Sequence, residues 1–116
     1  MEEAGSSKIK NLSSAALDLV AARFKLLAEP ARLCLLNALM TAESNVNELV
    51  ETTRLSQANV SKHLALLAEA GFVKRRKEGL YSFYSIADPS VFQLCNLVCT
   101  SLADKLGRDL AEFGEE

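Results

Sequence analysis

The sequence predicts a mainly α-helical domain with one β-hairpin, in the order helix, helix, helix, helix, hairpin, helix. Three observations carry that expectation. Apolar residues recur at helical spacing from Leu12 to Leu67 and again from Val91 onward. One run, LYSFYSI, alternates with period two and follows a turn that contains Gly79. The chain has 116 residues, 49% hydrophobic and 24% charged, which is the size and balance of one globular unit.

The elements follow in order. Residues 1–11 have no periodic apolar pattern and are expected to be a flexible tail, leaving 12–113 as a single domain. From Leu12, the positions Ala16, Leu19, Val20, Phe24 and Leu27 form a helical stripe, with Ser13 or Ser14 available as its cap. Pro30 suits the first turn of a second helix, ARLCLLNALM, and TAESN reads as a loop. NVNELVETT is a short third helix supported by Val46, Leu49 and Val50. Ser56 stands where an N-cap belongs, Val60, Leu64 and Leu67 give the next buried stripe, and Gly71 ends that helix. FVKRR, KEG and LYSFYSI make the hairpin, Gly79 supplying a positive φ. A long last helix is expected from Ser90 to Phe113, with Val91, Leu94, Val98, Leu102 and Leu106 on one side.

Composition excludes several classes. No apolar run reaches the roughly 20 residues of a membrane span, and MEEAGSSKIK lacks the apolar stretch of a signal peptide, so a cytoplasmic protein without membrane contact is expected. Three cysteines, an odd number, argue for reduced thiols. The net charge of −2 hides a segregation: residues 54–87 carry Arg54, Lys62, Lys74, Arg75, Arg76 and Lys77 against only Glu69 and Glu78. The segments on either side are both net acidic. A cationic middle third implies an anionic partner.

Two short helices joined by the tight turn TTRLS form a helix-turn-helix. On a helical wheel Leu64 and Leu67 fall within about 40° of Val60, Ala58, Lys62, Ala65 and Glu69 fall opposite, and Asn59 and Ser61 lie on the flanks. The outer face is thus small and hydrogen-bonding, as a helix lodged in a major groove requires. Gln57 and Ser61 suit base edges, Lys62 a base or phosphate, and the amides after Ser56 a phosphate oxygen. The hairpin becomes a wing beside it. Lys74, Arg75, Arg76 and Lys77 are placed to neutralise phosphates, two or three of them per chain because side chains alternate along a strand. Ser56, Asn59, His63 and Tyr81 complete the predicted contact set with double-stranded DNA. A Lys/Arg run also suits a solvated edge strand, but the capped polar helix beside it favours the nucleic acid.

AEPARLCLLNAL, NVNELVE, LSQANVSKHLALLAEAGFVKRRKEGLYSFYSI and ADPSVF together resemble the ArsR/SmtB family of bacterial metal- and stress-responsive repressors over about residues 19–106. The resemblance implies a winged helix-turn-helix homodimer joined through the first and last helices, which binds its operator when free and releases it on binding an inducer. Gln57, Ala58, Ser61 and Lys62 match the family's base-contacting positions. Ala58 departs from a frequent hydroxyl and is suited instead to a thymine methyl.

The family's inducer sites map unevenly onto this chain. Asn45 and Asn47 occupy the positions of the cysteines in its ELCVCDL-type motif, and amides are poor ligands for soft metals. Asp88, Ser90, Ser101 and Asp104 occupy the zinc-sensor positions on the last helix, without the imidazoles that tight zinc binding needs. The only histidine, His63, belongs to the recognition helix, as a packing or phosphate-contacting residue. Cys95 and Cys99, spaced i, i+4, place two sulfurs on one helix face. They could clip As(III), Sb(III) or another soft ion, with a third sulfur from Cys34 or a partner subunit. The same pair could answer an oxidant or reactive sulfur species, or serve simply as small buried hydrophobes, the role expected of Cys34 among its leucines. One histidine, no Gly-rich phosphate loop and no paired acids leave little for an enzyme. The remaining alternative is a constitutive winged-helix binding or interaction module without inducer control.

Overall fold

The computed structural model describes residues 11–107. Helix α1 spans Ser14–Leu27, and Ser13 is its cap, its hydroxyl accepting from the Ala16 amide at 3.1 Å. Helix α2, Pro30–Thr41, opens with Pro30 in the first turn, where a missing N–H costs nothing. It buries Leu35, Leu36 and Leu39. Cys34 is exposed, which corrects the expectation that it packs: the buried side of α2 falls at 35, 36 and 39.

The expected TAESN loop contains a two-residue strand, β1, Ser44–Asn45. Asn45 then caps α3, Val46–Thr53, in a reciprocal box: its side chain accepts from the Glu48 amide and Glu48 accepts from the Asn45 amide, both at 2.8 Å. The turn to the next helix passes through Arg54 at φ 67°, the left-handed region where a side chain is disfavoured. Helix α4 spans Gln57–Glu69, with the Ser56 hydroxyl accepting from the Asn59 amide at 3.1 Å. Gly71, at φ 86°, turns the chain out, and the Phe72 N–H donates back to the Leu67 carbonyl at 2.9 Å.

Strands β2, Val73–Glu78, and β3, Tyr81–Ile86, form the hairpin, and β1 joins it to give a three-stranded antiparallel sheet of order β1-β3-β2. Glu78 pairs with Tyr81, so the loop is Gly79-Leu80, with its positive φ of 62° on the glycine. Helix α5 begins at Ser90, whose N–H and hydroxyl both donate to Asp88 Oδ1 at 3.0 and 2.6 Å. Its described span closes at Leu106, where Gly107 is the C-cap at φ 69°. Residues 108–113 of the helix expected to run to Phe113, and most of the expected tail, lie outside the described residues.

The core gathers Leu27, Leu35, Leu36, Leu39, Leu49, Val60, Leu64, Leu67, Phe72, Val73 and Val91. It holds α4 and the root of the hairpin together, which fixes where the polar face of α4 points. The outer faces of α1 and α5 are left apolar and exposed, with Leu19 at 71% and Leu97 at 69%. No helix among the described residues is long and apolar enough to cross a membrane.

Candidate nucleic-acid interface

The cap at Ser56 fixes the start of α4, and the periodic burial of Val60, Leu64 and Leu67 fixes its rotation. Ser56, Gln57, Ala58, Asn59, Ser61 and Lys62 consequently all stand exposed on the outer, N-terminal part of the helix. The free amides of the first turn and the positive end of the helix dipole add to the attraction for an anion there. His63 does not belong with them. It is 6% exposed, and its Nδ1 accepts from Arg32 Nε at 3.1 Å. Burial first, then the neighbouring Arg32 and Lys62 charges, hold its pKa below the usual histidine value. The imidazole is therefore a neutral acceptor that ties α4 to α2, and the expected phosphate contact through His63 is corrected.

On β2 the pleat divides the cations. Arg75 and Lys77 share one face with Tyr84 and Ser82 opposite, while Lys74 and Arg76 share the other with Ser85 and Phe83. Arg76 is already occupied. Its Nε and Nη2 donate to the two carboxylate oxygens of Glu43 at 3.0 Å each, and Nη1 donates to Glu78 at 2.8 Å. Its guanidinium also lies 5.0 Å from the centre of the Phe83 ring. These carboxylates push the Arg76 pKa up, and Arg76 in turn holds the Glu43 carboxyl below its usual range. Arg76 is thus engaged at the protein surface by Glu43 and Glu78, and it is the cation that drops out of the expected two or three phosphate contacts per chain. Lys74, Arg75 and Lys77 remain exposed and enter none of the ion pairs among the described residues. Tyr81 is 55% exposed beside the Gly79-Leu80 loop, its ring 6.5 Å from that of Phe83. Glu43, absent from the predicted set, is the residue that selects which cations stay free.

The thiols lie away from this surface. Cys95 and Cys99 are half-buried on α5. Burial, and then the charge of a neighbouring Cys99 thiolate, push the Cys95 thiol up. No three His, Cys, Asp or Glu side chains among the described residues gather where they could hold a metal ion. Cys34 on α2 therefore does not join the pair as a third ligand within one chain, which corrects that expectation. Asp88, one of the positions matching a zinc site, is turned to Ser90 and Arg23, and these contacts hold its carboxyl below the usual range.

Residues 29–75, from the start of α2 into the wing, match the model of the family described as "Bacterial regulatory protein, arsR family". A probable mercury resistance operon repressor from Streptomyces lividans is 39% identical over 75% of this chain and 70% of its own length. The chain belongs to the arsR family. The crystal structure of the HTH-type transcriptional regulator Rv0081 of Mycobacterium tuberculosis superposes with a TM-score of 0.76 at 35% identity, covering 82% of this chain and 96% of that one. A homodimeric winged helix-turn-helix DNA-binding domain from Mycobacterium bovis, a possible ArsR-family transcriptional regulator, gives a TM-score of 0.71 at 32% identity over 84% and 94% of the two chains. This arsR-family chain is accordingly a winged helix-turn-helix DNA-binding transcription regulator and not an enzyme.

Proposed function

We propose that this arsR-family regulator is a homodimeric repressor that reads its operator with α4 in the major groove and Lys74, Arg75 and Lys77 of the wing along the backbone. The observation that carries the reading is the juxtaposition of the capped, wholly exposed polar face of residues 56–62 with a hairpin whose unpaired cations lie next to it in the chain. Gln57 and Ser61 reach base edges, Ala58 accommodates a thymine methyl, and Lys62 and the Asn59 amide region serve base or phosphate. The dimer forms through α1 and α5, where Leu17, Leu19, Phe24, Leu97, Val98, Leu102 and Leu106 are exposed apolar side chains that an interface would cover. The homodimeric relative from Mycobacterium bovis supports that assembly. Acting on the chromosome places the protein in the cytoplasm.

The inducer is a soft ion held by the sulfurs of Cys95 and Cys99. Two thiols a turn apart offer a two-donor clip, which suits an ion content with two thiolates, such as Hg(II), directly. As(III) or Sb(III), which takes three, would draw the third from the partner subunit. The mercury resistance name of the Streptomyces relative supports a soft ion of this kind. Oxidant sensing fits less well, because a half-buried thiol with a raised pKa presents little thiolate at neutral pH. An ion that prefers the non-binding geometry by about 2.7 kcal/mol would weaken operator binding about 100-fold. Replacing both residues, Cys95→Ser with Cys99→Ser, leaves operator binding intact and abolishes release by Hg(II) or arsenite in fluorescence anisotropy. Release that persists in the double variant, or that only peroxide elicits in the wild type, contradicts the assignment.

A further inference from the structure

Arg23 lies on α1 yet directs its guanidinium outside that helix. Nη1 donates to the Ala70 carbonyl at 2.5 Å and Nη2 to Asp88 Oδ2 at 3.3 Å, while the guanidinium carbon stands 4.0 Å from the centre of the Phe72 ring. Each contact falls at a joint. Ala70 is the C-cap of α4, and Asp88 holds the first residue of α5. Phe72, 3% exposed, links the same two ends through its backbone: its N–H donates to the Leu67 carbonyl at 2.9 Å, and its carbonyl accepts from the Ala87 N–H at 2.9 Å and the Asp88 N–H at 3.4 Å.

The end of α4 and the start of α5 therefore share one buried residue, and a guanidinium from α1 closes over it. The Ala70 carbonyl lies at the negative end of the α4 dipole, where a cation is favoured. A flat guanidinium over an aromatic face resists tilting in a way that a point charge does not. The exposed ion pair with Asp88 adds little by itself. The carbonyl bond and the ring contact give the joint its direction.

We propose that Arg23 is a positioning residue for DNA recognition, fixing the angle at which α4 leaves the platform made by α1 and α5. The inference rests on α4 being the recognition helix and on dimerisation through α1 and α5. In a two-fold dimer an angular error at this joint is repeated in both reading heads, so the heads no longer match two half-sites at one fixed spacing. Arg23 is assigned to the Ala70 carbonyl, Asp88 and Phe72 rather than to phosphate, so its loss leaves the salt slope in place.

The test uses the full-length protein and the duplex that the wild type selects from a random library. Arg23→Met keeps the stem and removes the donors. It should lower the ratio of selected to scrambled affinity at least tenfold while the salt slope of binding stays at the wild-type value. A variant that is merely less stable lowers both affinities by its folded fraction and leaves the ratio unchanged. A ratio within twofold of wild type in a folded dimer overturns the proposal. If Arg23→Met does not fold, Arg23→Lys is read the same way: a two- to fivefold loss of ratio at unchanged slope supports the proposal, and an unchanged ratio overturns it. Failure of the wild type to select any duplex would instead defeat the functional reading.

Discussion

Replacing Lys77 and Arg76 one at a time separates a cation that meets phosphate from one held by neighbouring carboxylates. The exposed wing cations that enter no ion pair among the described residues are Lys74, Arg75 and Lys77, three per protomer and six per dimer. If all six neutralise phosphates, the wing contributes a slope of about −5.4 to log affinity against log salt, or about 2,000-fold in affinity between 50 and 200 mM. Lys77→Ala removes one contact from each half-site and flattens that slope to about −3.6, leaving a loss of only about 150-fold over the same range. Arg76→Ala behaves differently. It leaves the Glu43 and Glu78 carboxylates unpaired, so absolute affinity falls, but the slope remains at about −5.4 because no phosphate contact is lost. Fluorescence anisotropy with a labelled duplex at four salt concentrations distinguishes the two. Equal flattening by Arg76→Ala and Lys77→Ala would refute the assignment of Arg76 to Glu43 and Glu78 rather than to phosphate.

Two stability measurements follow from the geometry of α4. Ser56→Ala removes the acceptor for the Asn59 amide and should cost about 1 kcal/mol in urea unfolding, with a loss of DNA affinity because the frayed first turn carries Gln57. His63 makes stability depend on pH: above about 6.5 it is neutral in both folded and unfolded chains and contributes no slope. As pH falls below that value the unfolded chain takes up a proton that the buried, Arg32-bonded imidazole refuses, so stability should decline through the window from 6.5 toward the lower folded pKa. The urea midpoint measured between pH 7.5 and 5.5 checks the sign, and His63→Gln should remove this part of the dependence.

Helical periodicity made α2 to α4 legible because each turns leucines or valines to one core, and the period-two run marked β3. The stripe read on α1 is helical too, but only Leu27 of it is buried, Leu19 and Phe24 staying exposed. Strand β1 was not legible. It has only two residues, too few for a period, and it exists because Ser44 and Asn45 meet Tyr84 and Phe83, far away in sequence. Within the site, the polar face of α4 could be read from a helical wheel, whereas four adjacent cations look alike in a sequence. What singles out Arg76 is Glu43, 33 residues upstream and brought close only by the sheet. Cys34 sits among leucines along the chain yet faces solvent, because neighbours in sequence on a helix point in different directions.

The central claim is that the outer face of α4 reads base edges, and discrimination at single base pairs measures it most directly. Affinities of wild type, Gln57→Ala and Ser61→Ala are compared on the selected duplex and on a set in which each base pair is changed in turn. The account predicts that each alanine variant loses about 1–3 kcal/mol of discrimination at one or two positions per half-site, with the salt slope unaltered. Alanine variants that rank every duplex as the wild type does would contradict it.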